Sequence, residues 1–347
     1  MRRMITIDGS FGEGGGQILR TSLTLSLLTK TPITLENLRA RRAKPGLRRQ
    51  HLTAVLAAQE ISGATVEGAD IGSQRLVFAP GDVEGGSFRF DIGSAGSATL
   101  VLQTLLLPLL FARRPSSVVI EGGTHNPLAP PFEFLDEVFR PRLLEMGAKM
   151  ELRLERPGFA PKGGGRVVAE VEPLTGALQP LFLDEEVPRW DLFATAVVSR
   201  LPRHIAEREL SVLAEALSLP EEGRLVVEET RALGPGNVVM VRLSSSAGRE
   251  LVVGFGEKGR RAEDVADGVA QETLALLAHR GAVGEHLADQ LLLPLALAGK
   301  GSFRTGPLSL HATTQMALIP RFLPVAFGHE DVTPQAARVF VYGRAAP

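Results

Sequence analysis

Short apolar runs closed by Gly, Pro or polar turns alternate along this chain with longer stretches whose apolar positions recur at helical spacing. The first pass predicts a helix over Gly14–Leu28, a strand over Ile33–Leu38, a helix over Leu47–Ile61, and strands near Thr65–Glu67 and Arg75–Phe78. A second pass begins at "DIGSAGSATLVLQTLLLPLL", a Gly/Ser turn entering an apolar helix. It continues with the strand "SSVVIEGG", the helix "PLAPPFEFLDEVFRPRLLEMGA" and strands on either side of "PGFAPKGGG". A third pass comes late: "GEHLADQLLLPLALA" reads as a helix, "GSFRTG" as a strand, "LHATTQMALIPRFLP" as a second helix and "ARVFVYG" as the last strand. Glu36 and Glu121, which close the corresponding early strands, are 85 residues apart, longer than a solenoid repeat and of the size of a small supersecondary domain.

Between the second and third passes lies a stretch of different rhythm. It predicts a helix over Arg208–Leu217, strands at Leu225–Glu229, Val238–Leu243 and Leu251–Phe255, and a long helix over Ala262–Leu277, with "LGPGN" as a turn. The expected fold is therefore α/β. A large body of three repeats, residues 1–182 and 279–347, carries a smaller inserted α/β domain at residues 183–278.

Composition narrows the function classes. With 44% hydrophobic residues in 347, the chain can bury a sizeable core, and 38 basic against 39 acidic residues leave no global field for nucleic acid. Any contact with RNA must then be local. The absence of cysteine excludes disulfides, thiolate zinc sites and a cysteine nucleophile, and fits a reducing compartment. The longest apolar run, Leu105–Ala112, is interrupted by Pro108 and is too short to span a bilayer, and Met1–Ile7 runs straight into a strand. The expectation is a cytoplasmic protein with no membrane partner.

Three features carry candidate chemistry. "IDGSFGEGGGQILRTSL" packs glycines as a phosphate loop would, yet lacks both the Gly-Lys-Ser/Thr of a P-loop and the dinucleotide spacing. One reading is a tight strand-to-helix turn. The other gives Glu13 a hard divalent cation held between its carboxylate and a polyphosphate, with Arg20 reaching the same phosphates from the helix. In "LRARRAKPGLRRQHL", Arg39, Arg41, Arg42, Lys44, Arg48 and Arg49 crowd around a helix start, where basic residues oppose the dipole unless an anion is expected. A solvated loop is the alternative to a phosphate or RNA site. His311, in "GPLSLHATTQMAL", stands where a helix begins, after Leu308 and Leu310 alternate like a strand end; a capping or surface histidine is the plain alternative to a reactive one. His51, His204, His279 and His329 show no metal-ligand spacing, His125 sits in the turn "GGTHNP", and no His-Glu-x-x-His occurs.

Taken together, "DGSFGEGGGQILR", "RARRAKPGLRRQHLTA", "GSAGSATLVLQTLLLPLL", "GGTHNPLAPP", the Gly163–Gly165 run, "GPGN", "GEHLADQL" and "LHATTQ" resemble, in order, the RNA 3'-terminal phosphate cyclase family across nearly the whole chain. The resemblance implies three βαβαββ-type repeats, like the C-terminal domain of translation initiation factor 3, with a smaller inserted domain. It implies ATP-dependent conversion of an RNA 3'-phosphate to a 2',3'-cyclic phosphodiester. His311 is then the nucleophile that takes AMP, Glu13 the holder of Mg2+ or Mn2+, and Arg20, Arg42 and Gln50 the phosphate contacts. The adenylate pocket carries over onto Gln103, Pro130, His286, Asp289 and Gln290; without the resemblance, the last three read as the polar face of a helix. Two departures stand out. His286 replaces a Tyr of some relatives, and Gln315 replaces the Asn of a His-x-x-Thr-Asn motif, with Pro320 inside the expected helix. A non-catalytic cyclase-like protein of ribosome assembly would lack the nucleophile and the intact pattern, and an enolpyruvyl transferase would give "LHATTQ" no purpose.

Overall fold

The computed structural model describes residues 3–343; residues 1–2 and 344–347, the outermost of the expected large body, lie outside the described residues. Strand β1 (Ile5–Asp8) leads through the glycine-rich loop into α1 (Gly16–Thr29), followed by β2 (Ile33–Glu36), α2 (Arg49–Ser62), β3 (Thr65–Glu67) and β4 (Leu76–Ala79). β1 runs parallel to β2, and β4 lies between β2 and β3, antiparallel to both. Next come β5 (Gly86–Asp91), α3 (Ala98–Leu110), β6 (Ser116–Gly122), a π-helical turn (Phe134–Phe139) running into α4 (Arg140–Glu145), β7 (Lys149–Arg156) and β8 (Gly165–Glu172). Their sheet has the same plan, in the order β5-β6-β8-β7.

After β9 (Phe182–Leu183) the chain forms β10 (Asp191–Ser199), α5 (His204–Leu217), β11 (Arg224–Glu228), β12 (Gly236–Ser245), β13 (Gly248–Phe255) and α6 (Ala262–His279). These four strands after β9 make a sheet of different order, β11-β10-β12-β13, covered by α5 and α6. The chain ends with α7 (Glu285–Ala298), β14 (Lys300–Thr305), α8 (Leu310–Leu318), a 3-10 turn (Ile319–Arg321), β15 (Val325–Thr333) and β16 (Ala336–Gly343). Here β9 pairs parallel with β14, and β16 lies between β14 and β15, so the first plan recurs.

The packing explains the helix sequences. α1 buries eleven of its fourteen residues, and most of its buried hydroxyls find partners inside, as where Thr29 donates to the Leu25 carbonyl at 2.7 Å and Ser26 to the Thr31 carbonyl at 2.6 Å, while Ser22 Oγ has none among the described residues. α1, α3 and α7 contribute Leu19, Leu23, Val101, Leu105, Leu287 and Leu291 to one continuous core; Trp190, Val198, Leu213, Val239, Val241 and Val269 form a second core under the β10–β13 sheet. Among the described residues no helix is long and apolar enough to cross a membrane.

Most helices lie within a few residues of their expected spans, but the one expected from Pro127 to Ala148 begins only beyond Pro127, Pro130 and Pro131, and four strands are additions: β5, β9, β10 and β15. Two local expectations change. The strand before His311 stops at Thr305, so Leu310 opens α8 instead of closing a strand, with Ser309 accepting the Ala312 N–H at 3.2 Å as the cap. α8 also ends at Leu318, because the proline ring at Pro320 cannot continue the ladder.

Candidate active site

The loop after β1 is shaped by an approach from the far end of the chain. Gly12 has φ +57, and a Cβ there would lie 2.2 Å from Thr314 Oγ1, so only glycine fits. Thr314 Oγ1 accepts the Glu13 N–H at 3.1 Å and donates to the Leu310 carbonyl at 2.6 Å, fastening the loop to the first turn of α8. Glu13 Oε2 accepts the Gly15 N–H at 2.7 Å, and its other oxygen pairs with Arg42, whose Nη2 also donates to the Glu13 carbonyl at 3.1 Å. A Cβ on Gly16 would meet His51 Nε2 at 2.6 Å and Arg20 Nη1 at 2.7 Å. Both of those donors therefore stand against the start of α1.

Beside the loop, a chain of hydrogen bonds fixes the ring of His311. Gln17 Nε2 donates to Asp289 Oδ2 at 2.8 Å, which leaves Gln17 Oε1 facing His311 Nδ1 at 2.9 Å. An amide oxygen only accepts, so Nδ1 carries a proton in this contact, and in the neutral ring the lone pair is on Nε2. Asp289, 8% exposed, also accepts from Gln290 Nε2 at 2.9 Å, and Gln290 in turn accepts from Gln103 at 2.7 Å. Gln315 donates to the Asp289 carbonyl at 3.0 Å and accepts from Thr21 at 3.2 Å. The glutamine at the departing motif position thus spans from α8 to α7 and α1.

These groups open onto a cleft of about 720 Å³. Glu13, Arg20, Arg42, Gln50, Pro130, His286, Asp289, Gln290 and His311 all line it. Gln103 does not; it lines a smaller cavity of about 60 Å³ behind the cleft, with Gln17, Arg20, Gln290 and Gln315. Gln50 has its carbonyl oxygen committed to the Ser97 N–H at 2.9 Å, leaving the amide nitrogen for a ligand. Of the basic cluster, Arg39 and Arg42 reach the cleft, while Arg48 occupies the N-cap position of α2 with its N–H given to His51 Nδ1, and Arg49 lies over the Gly93 carbonyl. The opposite wall is Pro127–Pro131 together with Leu251, Val253 and Phe255 of β13 and Val265, Val269 and Glu272 of α6.

The electrostatics favour an anionic ligand with a neutral donor among the cations. Burial lowers Arg20 to about 10, still fully charged at neutral pH, with Glu13 and Asp289 opposing the shift. Burial, reinforced by Arg20, Arg39 and Arg48, lowers His51 to about 3. Neutral His51 accepts the Arg48 N–H on Nδ1 at 3.1 Å, so its Nε2–H points toward the start of α1. Burial raises Asp289, countered by the Gln290 hydrogen bond and by His311, His286 and Arg20. His286, with a side chain 67% exposed, is raised to about 9 by its hydrogen bond to Glu272 at 3.3 Å and so offers a cationic ring to the cleft.

Among the described residues no group of three or more His, Cys, Asp or Glu forms a metal cage. Glu13 is a single carboxylate on the cleft, with lone pairs remaining beyond its contacts to Gly15 and Arg42. That donor set fits a Mg2+-type ion whose remaining ligands are phosphate oxygens and water.

Two cleft residues, Gln17 and His51, are not among the site residues expected from the sequence, and Arg39 is expected only as part of the basic cluster. Gln17 ends the run of glycines and faces inward on α1; its position in "GGGQ" was the available signal. His51 was set aside for want of metal-ligand spacing, although it lies two residues after the paired arginines.

The family model described as RNA 3'-terminal phosphate cyclase matches residues 11–328. A protein of Koribacter versatilis (strain Ellin345) named RNA 3'-terminal phosphate cyclase is 50% identical over 93% of this chain and 91% of its own length. Proteins of the same name from Ralstonia nicotianae (strain ATCC BAA-1114 / GMI1000) and Ectopseudomonas mendocina (strain ymp) are 51% and 50% identical, covering 96% and 92% of this chain and 94% and 93% of their own. The span of the match takes in both the glycine-rich loop and the α8 turn that fasten together at Thr314, and the chain belongs to the RNA 3'-terminal phosphate cyclase family.

Proposed function

We propose that this chain converts the 3'-phosphate end of RNA to a 2',3'-cyclic phosphodiester at the expense of ATP. The observation that carries the reading is His311, exposed on the first turn of α8 with Nδ1 held by Gln17 and Nε2 free beside the cationic cleft. A 3'-phosphate needs a leaving group before the adjacent 2'-OH can close the ring. In the first step His311 Nε2 forms a bond to the α-phosphorus of ATP while the α–β bridging bond breaks and pyrophosphate leaves. As positive charge develops on the ring, the Nδ1 proton stays on the hydrogen bond to Gln17, backed by Asp289. Arg20, Arg42 and the neutral His51 donor hold the phosphates in line.

In the second step an oxygen of the RNA 3'-phosphate attacks the same phosphorus and the N–P bond breaks, returning His311. In the third, the RNA 2'-OH attacks the 3'-phosphorus and AMP departs. Pro130, cationic His286 and the Asp289–Gln290 pair line the proposed adenosine site. A divalent ion on Glu13 would supply neutralisation of charge on the phosphoryl oxygens. The same reading treats residues 183–278 as an inserted domain on a three-repeat body and places the protein in the cytoplasm.

Incubation with α-labelled ATP and Mg2+ or Mn2+, followed by denaturing electrophoresis, tests the reading. The expected result is an acid-labile, base-stable label that His311→Asn abolishes; a label that persists in the variant overturns the assignment. Matched RNAs ending in 3'-phosphate, 3'-OH, or 3'-phosphate on a 2'-deoxy sugar complete the test. Only the first is expected to give a cyclic end, and equal binding of all three without product would favour an RNA-binding scaffold.

A further inference from the structure

We propose that Glu250, on β13 of the β10–β13 sheet, is a positioning residue for the nucleotide pocket: it caps the helix that carries His286, Asp289 and Gln290 and so sets the width of the cleft. Glu250 is 3% exposed, and its Oε1 accepts the Gly284 N–H at 2.7 Å. Gly284 is the N-cap residue of α7 and has no side chain to cap with. In a capping box, a Glu three residues into the helix reaches back to this same backbone N–H. In α7 that position is Leu287, so the contact is supplied from 34 residues upstream, across the boundary between two cores.

The position of β13 is itself pinned from the other side. Arg142 of α4, 3% exposed, donates to the Ala247 carbonyl at 2.6 Å, in the turn between β12 and β13. Arg242, the register partner of Leu251 on β12, forms a two-pronged pair with Glu137 of the π-helical turn at 2.7 and 2.9 Å. The strand therefore cannot drift, and the single residue before its cleft-lining segment, Leu251–Phe255, holds the end of the facing helix. At the open mouth the matching tie is the exposed His286–Glu272 pair, which solvent screens. From α7 the constraint passes inward, because Asp289 holds Gln17 and Gln17 holds His311.

Burial also raises the Glu250 carboxyl to about 7, with Gly284, Arg142 and His286 opposing. Either protonation state keeps an oxygen that accepts the Gly284 N–H, so an amide should replace it.

This inference rests on the adenylylation reading, and the test separates the two. Wild type, Glu250→Gln and Glu250→Leu are compared by initial rate of adenylylation against ATP concentration and of cyclisation against RNA 3'-phosphate concentration. Thermal unfolding and amide hydrogen exchange at residues 284–290 are followed in parallel. Glu250→Leu is expected to raise the KM for ATP about tenfold and speed exchange at the start of α7, with the KM for RNA unchanged; Glu250→Gln is expected to restore both. A lower kcat with both KM values unchanged would mean loss of folded protein only and would overturn the proposal. So would wild-type exchange at residues 284–290 as fast as in an exposed loop, which can be measured even if Glu250→Leu does not fold. Failure of the wild type to take label from ATP would instead defeat the adenylylation reading.

Discussion

Replacing Gln17 by Met keeps the length of the side chain and removes both amide functions, so it isolates what the relay contributes. Two hydrogen bonds disappear, to His311 Nδ1 at 2.9 Å and to Asp289 Oδ2 at 2.8 Å. A neutral hydrogen bond contributes about 0.5–1.5 kcal/mol net, and one to a charged partner about 1.5–3 kcal/mol. The bond to His311 changes character during the reaction, from neutral to charge-assisted, so only the difference, about 1–2 kcal/mol, acts on the rate. The expected loss is about 5- to 30-fold in single-turnover adenylylation at saturating ATP. A second signature is structural in origin: Asp289 loses an acceptor contact in a buried site, and the variant should be less stable by about 1–3 kcal/mol. The rate is measured by quenched-flow labelling with α-labelled ATP, the stability by denaturant unfolding. An adenylylation rate within twofold of wild type, with the destabilisation present, would refute the assignment of Gln17 to the nucleophile and leave it a packing residue.

Glu13→Ala should lose adenylylation and recover part of it at raised Mg2+ or Mn2+, whereas Glu13→Gln should keep the Gly15 contact and the fold without the charge; a metal titration of both variants superimposing on wild type would contradict the metal role. Arg42→Ala should lower turnover about 100- to 1000-fold even at saturating RNA, while Arg48→Ala with Arg49→Ala, outside the cleft, should mainly weaken RNA binding and flatten its salt dependence; salt titrations of RNA affinity with unchanged slope would count against this division. Glu209, buried and paired through one oxygen to Asn237 at 2.9 Å, is raised to about 7 by burial. Its folded pKa exceeds the unfolded value, so its contribution is full below about pH 4.5 and is lost as pH rises through about 7. Glu209→Gln should match wild type in denaturant unfolding near pH 4.5 and exceed it by about 1–3 kcal/mol at pH 8; a pH-independent difference would rule the ionisation out.

How much of this was legible follows from what each segment must bury. Helices α1, α3 and α7 were readable because their apolar faces serve the main core. β5 carries a period-two signal in Phe88 and Phe90, but it lies directly before the Gly/Ser turn that drew attention as a start. β15 gives little: its second half, His329–Thr333, is exposed and polar but for Val332, and only Val325 and Phe327 of its first half turn to the core while the strand pairs with β16. Most residues of the cleft could be named only through the family resemblance, since His286, Asp289 and Gln290 alone read as the polar face of a helix; nine of the ten named line the cleft. What the sequence could not carry was the relation between motifs. Gln17 and Glu250 act through partners 294 and 34 residues away, and no local pattern encodes a contact of that separation.

The Thr314 clasp on the glycine-rich loop spans 301 residues, and that distance orders events during synthesis. The loop and its helix emerge from the ribosome long before α8 exists, so nascent chains present Glu13 and the guanidinium of Arg42 without His311 beside them. Closing so long a span costs little more entropy than closing half of it, about 0.6 kcal/mol per doubling, and the earlier elements can have collapsed already. The wall of the cleft that carries His311 is therefore completed only when α8 docks against a loop made 301 residues earlier.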